Sequence, residues 1–509
     1  MGEELESEGG RTKWRLAVGG ELILGGVLGT IFLGSHSLWL DESVSSSLAT
    51  APWHRFTEVV AHREPNMALY YLFLRGWVFF GHGEAALRSL SVIAAVGALA
   101  VVIMVTRDLF GQKAALICGL LLAVDPLFVE FAQDVRGYSL CLVLVSASSF
   151  LFIRGIQKPL SQPWVTWTGY TLVTVLAAYT NFWAALVPLS HAVSLAFLPN
   201  RSIPWRKLAP TWGAVLVLLV PLALLIRATD SSGVDWAAGS SAGHILTRIR
   251  DAVPHVLLDL GAVVLMVGLF VVVLLVRRHQ TLLAAFERNW AWLFALCWLG
   301  VPLAAVILLS VVYKPLLVIR YLMVCVPPAA ILVGAIVARA TDSSLPVGRL
   351  KRLAATIGGV MILGASSIAT VMWYNSAGSQ DWRSTVAYVG NASRPGDGVL
   401  FVAPYVRIPF EWYVGQEPPW SAKVHPVYPS LTWGVDPLRF DLYVSVSERA
   451  VAQAALRYQR VWLVLCDQKY TPQQLHAVTA GLHRDGFGVT HTKSFKGVEV
   501  VEEVRSGVQ

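Results

Sequence analysis

The chain has 509 residues, 55% of them hydrophobic and only 14% charged, with a formal net charge of +8 and a mean hydropathy of +0.58. Ordinary soluble proteins run to roughly 25% charged residues, so this composition excludes a purely soluble fold and makes lipid part of the solvent. The basic excess does not indicate nucleic acid, because Lys and Arg lie between apolar runs, where membrane topology places them.

In chain order, residues 1–15 read as a cytoplasmic tail, since Arg11, Lys13 and Arg15 precede the first apolar run. That run, about 16–34, has no convincing small-residue cleavage site and reads as a span rather than a signal peptide. It delivers LWLDES, with Asp41 and Glu42, to the outer face. The stretch MALYYLFLRGWVFF, 67–80, is too short to cross and carries Arg75 in its middle. It is expected to lie along the membrane surface within a large outer loop, 35–86. Ten further spans are expected at about 87–106, 114–132, 137–154, 164–179, 182–198, 208–226, 256–276, 290–311, 319–338 and 353–373. They keep nearly every strong Arg/Lys cluster inside: RDLFGQK, Arg154 with Lys158, Arg201 with Arg206, Arg277 with Arg278, and Arg349 to Arg352. The expected fold is thus a polytopic α-helical membrane protein of about eleven spans, filling 16–374.

Residues 375–509 have ordinary polarity. GVLFVAP and RVWLVLCD read as buried strands, and SERAVAQAALRYQR and TPQQLHAVTAGLHRDG as helices. The expectation is an extracytoplasmic α/β domain on the outer face. The five cysteines, Cys118, Cys141, Cys297, Cys325 and Cys466, have no paired spacing, which argues against a disulfide framework or thiolate metal site. The sequence holds no HExxH, Walker loop or GxGxxG fingerprint, and no solenoid-type repeat.

The charges that topology does not explain are Asp41, Glu42, Arg63, Glu64, Asp125, Asp134, Arg136, Lys314 and Arg320, all on the outer side of this arrangement. Carboxylates and cations converging beside lipid suit a substrate with a phosphate head and an apolar tail. Arg holds phosphate through two parallel bonds, Lys as a point charge, and a carboxylate takes the proton of an attacking hydroxyl. Plainer readings stand beside this one. Asp41 reads also as the N-cap of a short helix, Asp125 as part of a helix break at Pro126, and Arg136 as a snorkelling interfacial residue. His62, His244 and His255 read better as loop or interface histidines than as ligands.

The series LWLDES, HREPNMALYYLFLRGW, EAALRSLS, RDLFGQKAAL, VDPLFVEFAQDVRGYSL and VIRYLMVCVPPAA spans about the first 340 residues. In that order it resembles the integral-membrane glycosyltransferases of the C superfamily, in the bacterial branch related to protein O-mannosyltransferases and the lipid A aminoarabinose transferase. The resemblance implies a multi-pass enzyme of the bacterial inner membrane, with its N-terminus cytoplasmic. It would move a hexose or pentose from a polyprenyl-phosphate donor to a lipid, glycan or protein acceptor hydroxyl on the outer face. A single displacement of that kind inverts the anomeric centre. The resemblance makes Asp41 the candidate general base, with Glu42 beside it. Arg136, Tyr138, Arg320, Tyr321 and Lys314 become candidates for the donor phosphate, and His62, Arg63, Glu64 and Tyr70 for substrate. An Asp-Pro of the family, matched by Asp125, implies a divalent metal cation between Asp41 and Asp125. The first loop departs from the family pattern H-x-P-P-L-Y-Y, reading His62-Arg-Glu-Pro-Asn-Met-Ala-Leu-Tyr-Tyr, which leaves sugar and acceptor open. The competing function is a flippase or transporter of a lipid-linked substrate, whose usual signature is internal repeats with broken helices at the midplane.

Overall fold

The structure is a computed structural model; it describes residues 8–157, 162–198, 203–228, 290–312, 318–342, 348–376, 378, 380–428, 448–466 and 472–506. The expected span at 256–276, most of the loop after Arg227, and Lys158, Arg201, His244, His255, Arg277, Arg278 and Lys314 lie outside the described residues.

The helical part opens with α1 (Glu8–Thr30), then three short helices, α2 (Leu40–Thr50), α3 (Trp53–His62) and α4 (Ala68–Trp77). There follow α5 (Glu84–Phe110), α6 (Gln112–Ala123), α7 (Pro126–Ala132), α8 (Tyr138–Gln157), α9 (Pro163–Thr180), α10 (Leu186–Leu195) and α11 (Trp205–Ala228). The bundle is completed by α12 (Trp290–Val312), α13 (Val326–Ala340) and α14 (Arg349–Ser376). Among the described residues six helices are long and apolar enough to cross a membrane, namely α5, α8, α11, α12, α13 and α14. The pair α6–α7 makes a seventh if taken as one broken span. Residues on α11 and α14 such as Leu216, Leu224, Ile357, Val360 and Met361 face outward, an apolar surface that lipid solvates.

Several expected spans take a different local form, for identifiable reasons. The third bends by 63° between α6 and α7: Pro126 has no N–H to continue the ladder, and Asp125 caps the new helix. The sixth is a 3₁₀ turn, Phe182–Ala185, followed by a helix of only 10 residues. The tenth starts late, at Val326, after two 3₁₀ turns at Ile319–Tyr321 and Met323–Cys325. Pro327 and Pro328 explain this, because the first helical turn is where missing N–H groups cost nothing.

Small residues let the bundle close. A Cβ on Gly334 of α13 would come within 2.9 Å of the Ala114 carbonyl oxygen and the Cys118 nitrogen of α6, so the two backbones nearly touch. A buried polar cluster sits inside the bundle: the His191 ring meets Ser149 Oγ at 3.0 Å and the Tyr170 hydroxyl at 3.1 Å.

The C-terminal α/β domain holds α15 (Trp382–Ala392), β1 (Gly398–Phe401), α16 (Arg407–Gln416), α17 (Pro418–Ser421), β2 (His425–Tyr428), α18 (Glu448–Ala455), β3 (Arg460–Cys466), α19 (Pro472–Arg484), β4 (Phe487–Phe495) and β5 (Val498–Arg505). Its five-stranded sheet runs β2-β1-β3-β5-β4. β1 lies parallel to β2 and β3, while β5 lies antiparallel to β3 and β4. The two expected strands became the buried centre, β1 and β3. Their alternate residues face opposite layers, with Val399, Phe401, Trp462 and Val464 in one core and Leu400, Val461 and Leu463 in the other. Ile408 of α16 joins the apolar core that holds Leu48 and Val59, so this domain is seated directly on the helices of the first loop.

Candidate active site

The site is built around the start of α2. Trp39 takes the N-cap position, and its backbone N–H donates to Glu42 Oε2 at 3.2 Å. Asp41 is therefore not the cap; its side chain is free to turn outward, where it accepts from Arg320 Nη1 at 2.9 Å. About a quarter of each of these two side chains is exposed. Arg320 arrives on the 3₁₀ turn before α13.

A second guanidinium approaches from the short segment between α7 and α8. Arg136 is buried, and its Nη1 donates to the Asp41 carbonyl at 3.4 Å, Ser45 Oγ at 3.3 Å and the Tyr71 hydroxyl at 3.1 Å. Its Nε is buried with no partner. Tyr71 in turn donates to Glu64 Oε2 at 3.3 Å. Burial pushes the Glu64 carboxyl above its ordinary value, against the pull of Arg136. Gly137 makes this approach feasible, because a Cβ there would meet Tyr70 Cβ at 3.1 Å and the Thr180 carbonyl oxygen at 3.2 Å.

Glu42 points the other way, into the protein, and is buried. Arg88 Nε donates to its Oε1 at 2.8 Å and Arg88 Nη2 to its Oε2 at 2.7 Å, a forked pair, and Val135 N–H donates to Oε1 at 3.0 Å. With the Trp39 N–H the Glu42 carboxylate accepts four hydrogen bonds, two on each oxygen, and so has no open lone pair toward Asp41's substrate side; Glu42 anchors α2 to α5 and to the segment carrying Arg136. Asp134 lies beside it and accepts from Trp39 Nε1 at 3.2 Å. Burial and the neighbouring Glu42 charge push the Asp134 carboxyl well above its ordinary value.

The remaining predicted residues divide. Tyr321 packs on Trp183 with ring centroids 5.1 Å apart, beside Arg320. Tyr138 is buried against Phe131. Tyr70 turns from the site and meets Ser91 Oγ at 3.1 Å; Tyr71, one position on and about 100° round the helix, is the tyrosine that reaches Arg136. His62 ends α3 exposed, and Arg63 follows it at the helix end. Arg88 was missed as a functional residue by sequence reasoning, although an arginine in the first turns of an apolar helix calls for a buried partner.

The residues present do not fit the implied divalent cation. Asp125 accepts from Phe128 N–H at 2.8 Å as the cap of α7, and Asp41 is engaged by Arg320. Among the described residues no group of three or more His, Cys, Asp or Glu side chains comes together to hold an ion. Asp125 instead borders an apolar pocket lined by Leu121, Leu122, Leu127, Ile319, Leu322 and Cys325. Ile319 and Leu322 come from the same short segment as Arg320.

No curated protein matches the chain. Residues 64–226 match the family model described as dolichyl-phosphate-mannose-protein mannosyltransferase. Among solved structures, the chain is similar to ArnT from Cupriavidus metallidurans bound to undecaprenyl phosphate, with a TM-score of 0.58 and 16% identity over 98% of this chain and 100% of that one. It is also similar to the Archaeoglobus fulgidus oligosaccharyltransferase in complex with Zn and sulfate, with a TM-score of 0.54 and 11% identity over 94% of this chain and 72% of that one. The chain is thus a multi-pass membrane protein with the GT-C glycosyltransferase fold, and its residues 64–226 carry the pattern of the dolichyl-phosphate-mannose-protein mannosyltransferase family.

Proposed function

We propose that this chain transfers a sugar from a polyprenyl-phosphate-linked donor to an acceptor hydroxyl at the outer face of a bacterial inner membrane. The observation that carries this reading is the meeting at Asp41 of two arginines from distant parts of the chain, Arg320 on its carboxylate and the buried Arg136 on its backbone carbonyl. The Asp41 carboxylate engages Arg320 and not Arg136, whose buried Nε stays unsatisfied among the described residues; a phosphate would use both guanidinium groups. The apolar pocket lined in part by Ile319 and Leu322, from the segment that carries Arg320, suits the first isoprene units of the carrier.

In this reading the donor phosphate draws Arg320 away from Asp41 and is held by Arg320 and Arg136 together. Asp41, released, accepts the proton of the acceptor hydroxyl as its oxygen bonds to the anomeric carbon. The bond from that carbon to the phosphate oxygen breaks, and its electron pair leaves on the phosphate, where the two guanidinium groups offset the added charge. Attack from the face opposite the leaving group inverts the anomeric centre. Tyr71 and Glu64 fix the direction of Arg136. A flippase would not need a carboxylate placed beside two phosphate-binding groups at one end of the bundle.

The test is mass spectrometry of lipids that co-purify in mild detergent. Undecaprenyl phosphate or its monosaccharide adduct should accompany the native chain and be lost from Arg136→Ala. Bulk phospholipid alone in both samples would remove the support for a donor site here.

A further inference from the structure

Residues 31–39 join α1 to α2 and so carry Asp41 into the site. They are gripped from two sides. From the bundle, Arg88 Nη1 donates to the carbonyls of Leu33 at 2.8 Å and His36 at 2.9 Å, and Nη2 to that of Ser37 at 3.3 Å. From the C-terminal domain, Ser37 Oγ donates to the Gln380 carbonyl at 2.8 Å and accepts from Trp382 N–H at 3.0 Å. The Tyr413 hydroxyl accepts from Leu38 N–H at 2.7 Å and donates to Glu84 Oε1 at 2.9 Å. Arg383 Nη2 donates to the same Glu84 oxygen at 2.6 Å and to the Gly34 carbonyl at 3.0 Å. Glu84 and Arg88 are one turn apart on α5, so one face of that helix anchors the linker and the outer domain together.

We infer that the C-terminal domain positions the catalytic carboxylate, with Tyr413 as the positioning residue that fixes the linker ahead of Asp41. This rests on the transferase reading above. Leu38 is fully buried, so without the Tyr413 oxygen its N–H loses its partner where water does not reach, and the linker must move to recover one. Only Trp39 and Leu40 separate Leu38 from Asp41, which leaves no slack to absorb that movement. A displacement of about 1 Å at a reacting group costs on the order of a hundredfold in rate. Tyr413 touches neither donor nor acceptor in this arrangement; it acts through the linker.

The experiment compares the full-length native chain with Tyr413→Phe and with Val478→Ala, which loosens the core on the opposite layer of the outer sheet from Tyr413 and Trp382. Hydrogen–deuterium exchange in detergent reads peptides covering 33–39. Undecaprenyl phosphate binding and turnover of a panel of undecaprenyl-phosphate monosaccharides read the site. Tyr413→Phe should exchange faster in the linker and lose about tenfold or more in kcat. Its KM for the donor and its affinity for undecaprenyl phosphate should stay within about twofold, because the phosphate-binding arginines are held by other elements. Val478→Ala should leave linker exchange and kcat as in the native chain. Unchanged linker exchange and kcat in Tyr413→Phe, or an equal kcat loss in Val478→Ala, would overturn the inference. If the native chain turns over none of the donors, the transferase reading fails, and the exchange result alone decides whether Tyr413 holds the linker.

Discussion

Arg320 and Asp41 stand 279 positions apart in the chain, yet Nη1 of one donates to Oδ2 of the other at 2.9 Å. Both side chains are partly exposed, and ion pairs of that kind contribute only about 0–1 kcal/mol to stability. The contact is therefore cheap to exchange. The donor's phosphodiester carries one negative charge, as the carboxylate does, but it can engage Arg136 as well as Arg320, so the arrival of the donor would itself uncover the base.

Asp41→Asn should abolish that chemistry without removing the donor site. Transfer is expected to fall by about 10²–10⁴-fold, the usual contribution of a positioned general base. Undecaprenyl phosphate should still bind, because Asn keeps the size of the side chain and removes its charge. Retention of native transfer rates would rule out Asp41 as the base.

The Glu42–Arg88 pair predicts a different signature. Both side chains are buried, so removing either alone leaves an uncompensated buried charge. Glu42→Gln or Arg88→Met should each destabilise the protein by about 3–5 kcal/mol, and the double variant by less than the sum. Thermal unfolding in detergent measures this. Additive losses would show that the two side chains act independently.

Gly334→Ala tests the bundle. The added methyl would press on backbone atoms of α6 at 2.9 Å, which cannot move aside as a side chain can. A loss of about 1–3 kcal/mol is expected, read as a lower unfolding temperature with no change in the apparent affinity for undecaprenyl phosphate.

Glu503 gives a pH dependence confined to the C-terminal domain. It is fully buried in β5, and among the described residues neither carboxyl oxygen has a hydrogen-bond partner. Burial raises its pKa above the ordinary 4.5, with His483 opposing. A raised acid favours the fold in its protonated form, so this contribution is whole below 4.5 and is lost as pH rises through the higher value in the fold. Glu503→Gln should therefore stabilise the domain at pH 8 by about 1–3 kcal/mol and by less at pH 4. Equal effects at both values would show that the carboxyl does not titrate with unfolding.

Much of this architecture could be read from residue order. The strands GVLFVAP and RVWLVLCD emerged as the paired centre of the outer sheet, since a run apolar on both faces can only be a buried strand at that length. The break at Asp125–Pro126 was also legible, because proline lacks the N–H a helix needs. The choice between Tyr70 and Tyr71 was not, since which of two adjacent helical residues faces a site depends on where the neighbouring helices pack.

By itself the sequence determined that the chain lives in a membrane, which runs are helices or strands, and that Asp41, Arg136 and Arg320 were charges without a topological excuse. Those properties are local, set by periodicity, proline and the cost of charge beside lipid. Only the tertiary structure decided that Glu42 is a buried anchor while its neighbour Asp41 turns outward to Arg320, and that Tyr413 of the outer domain bonds the linker between them and the first helix. Adjacent helical residues point about 100° apart, and partners hundreds of residues away meet only once the whole chain has packed.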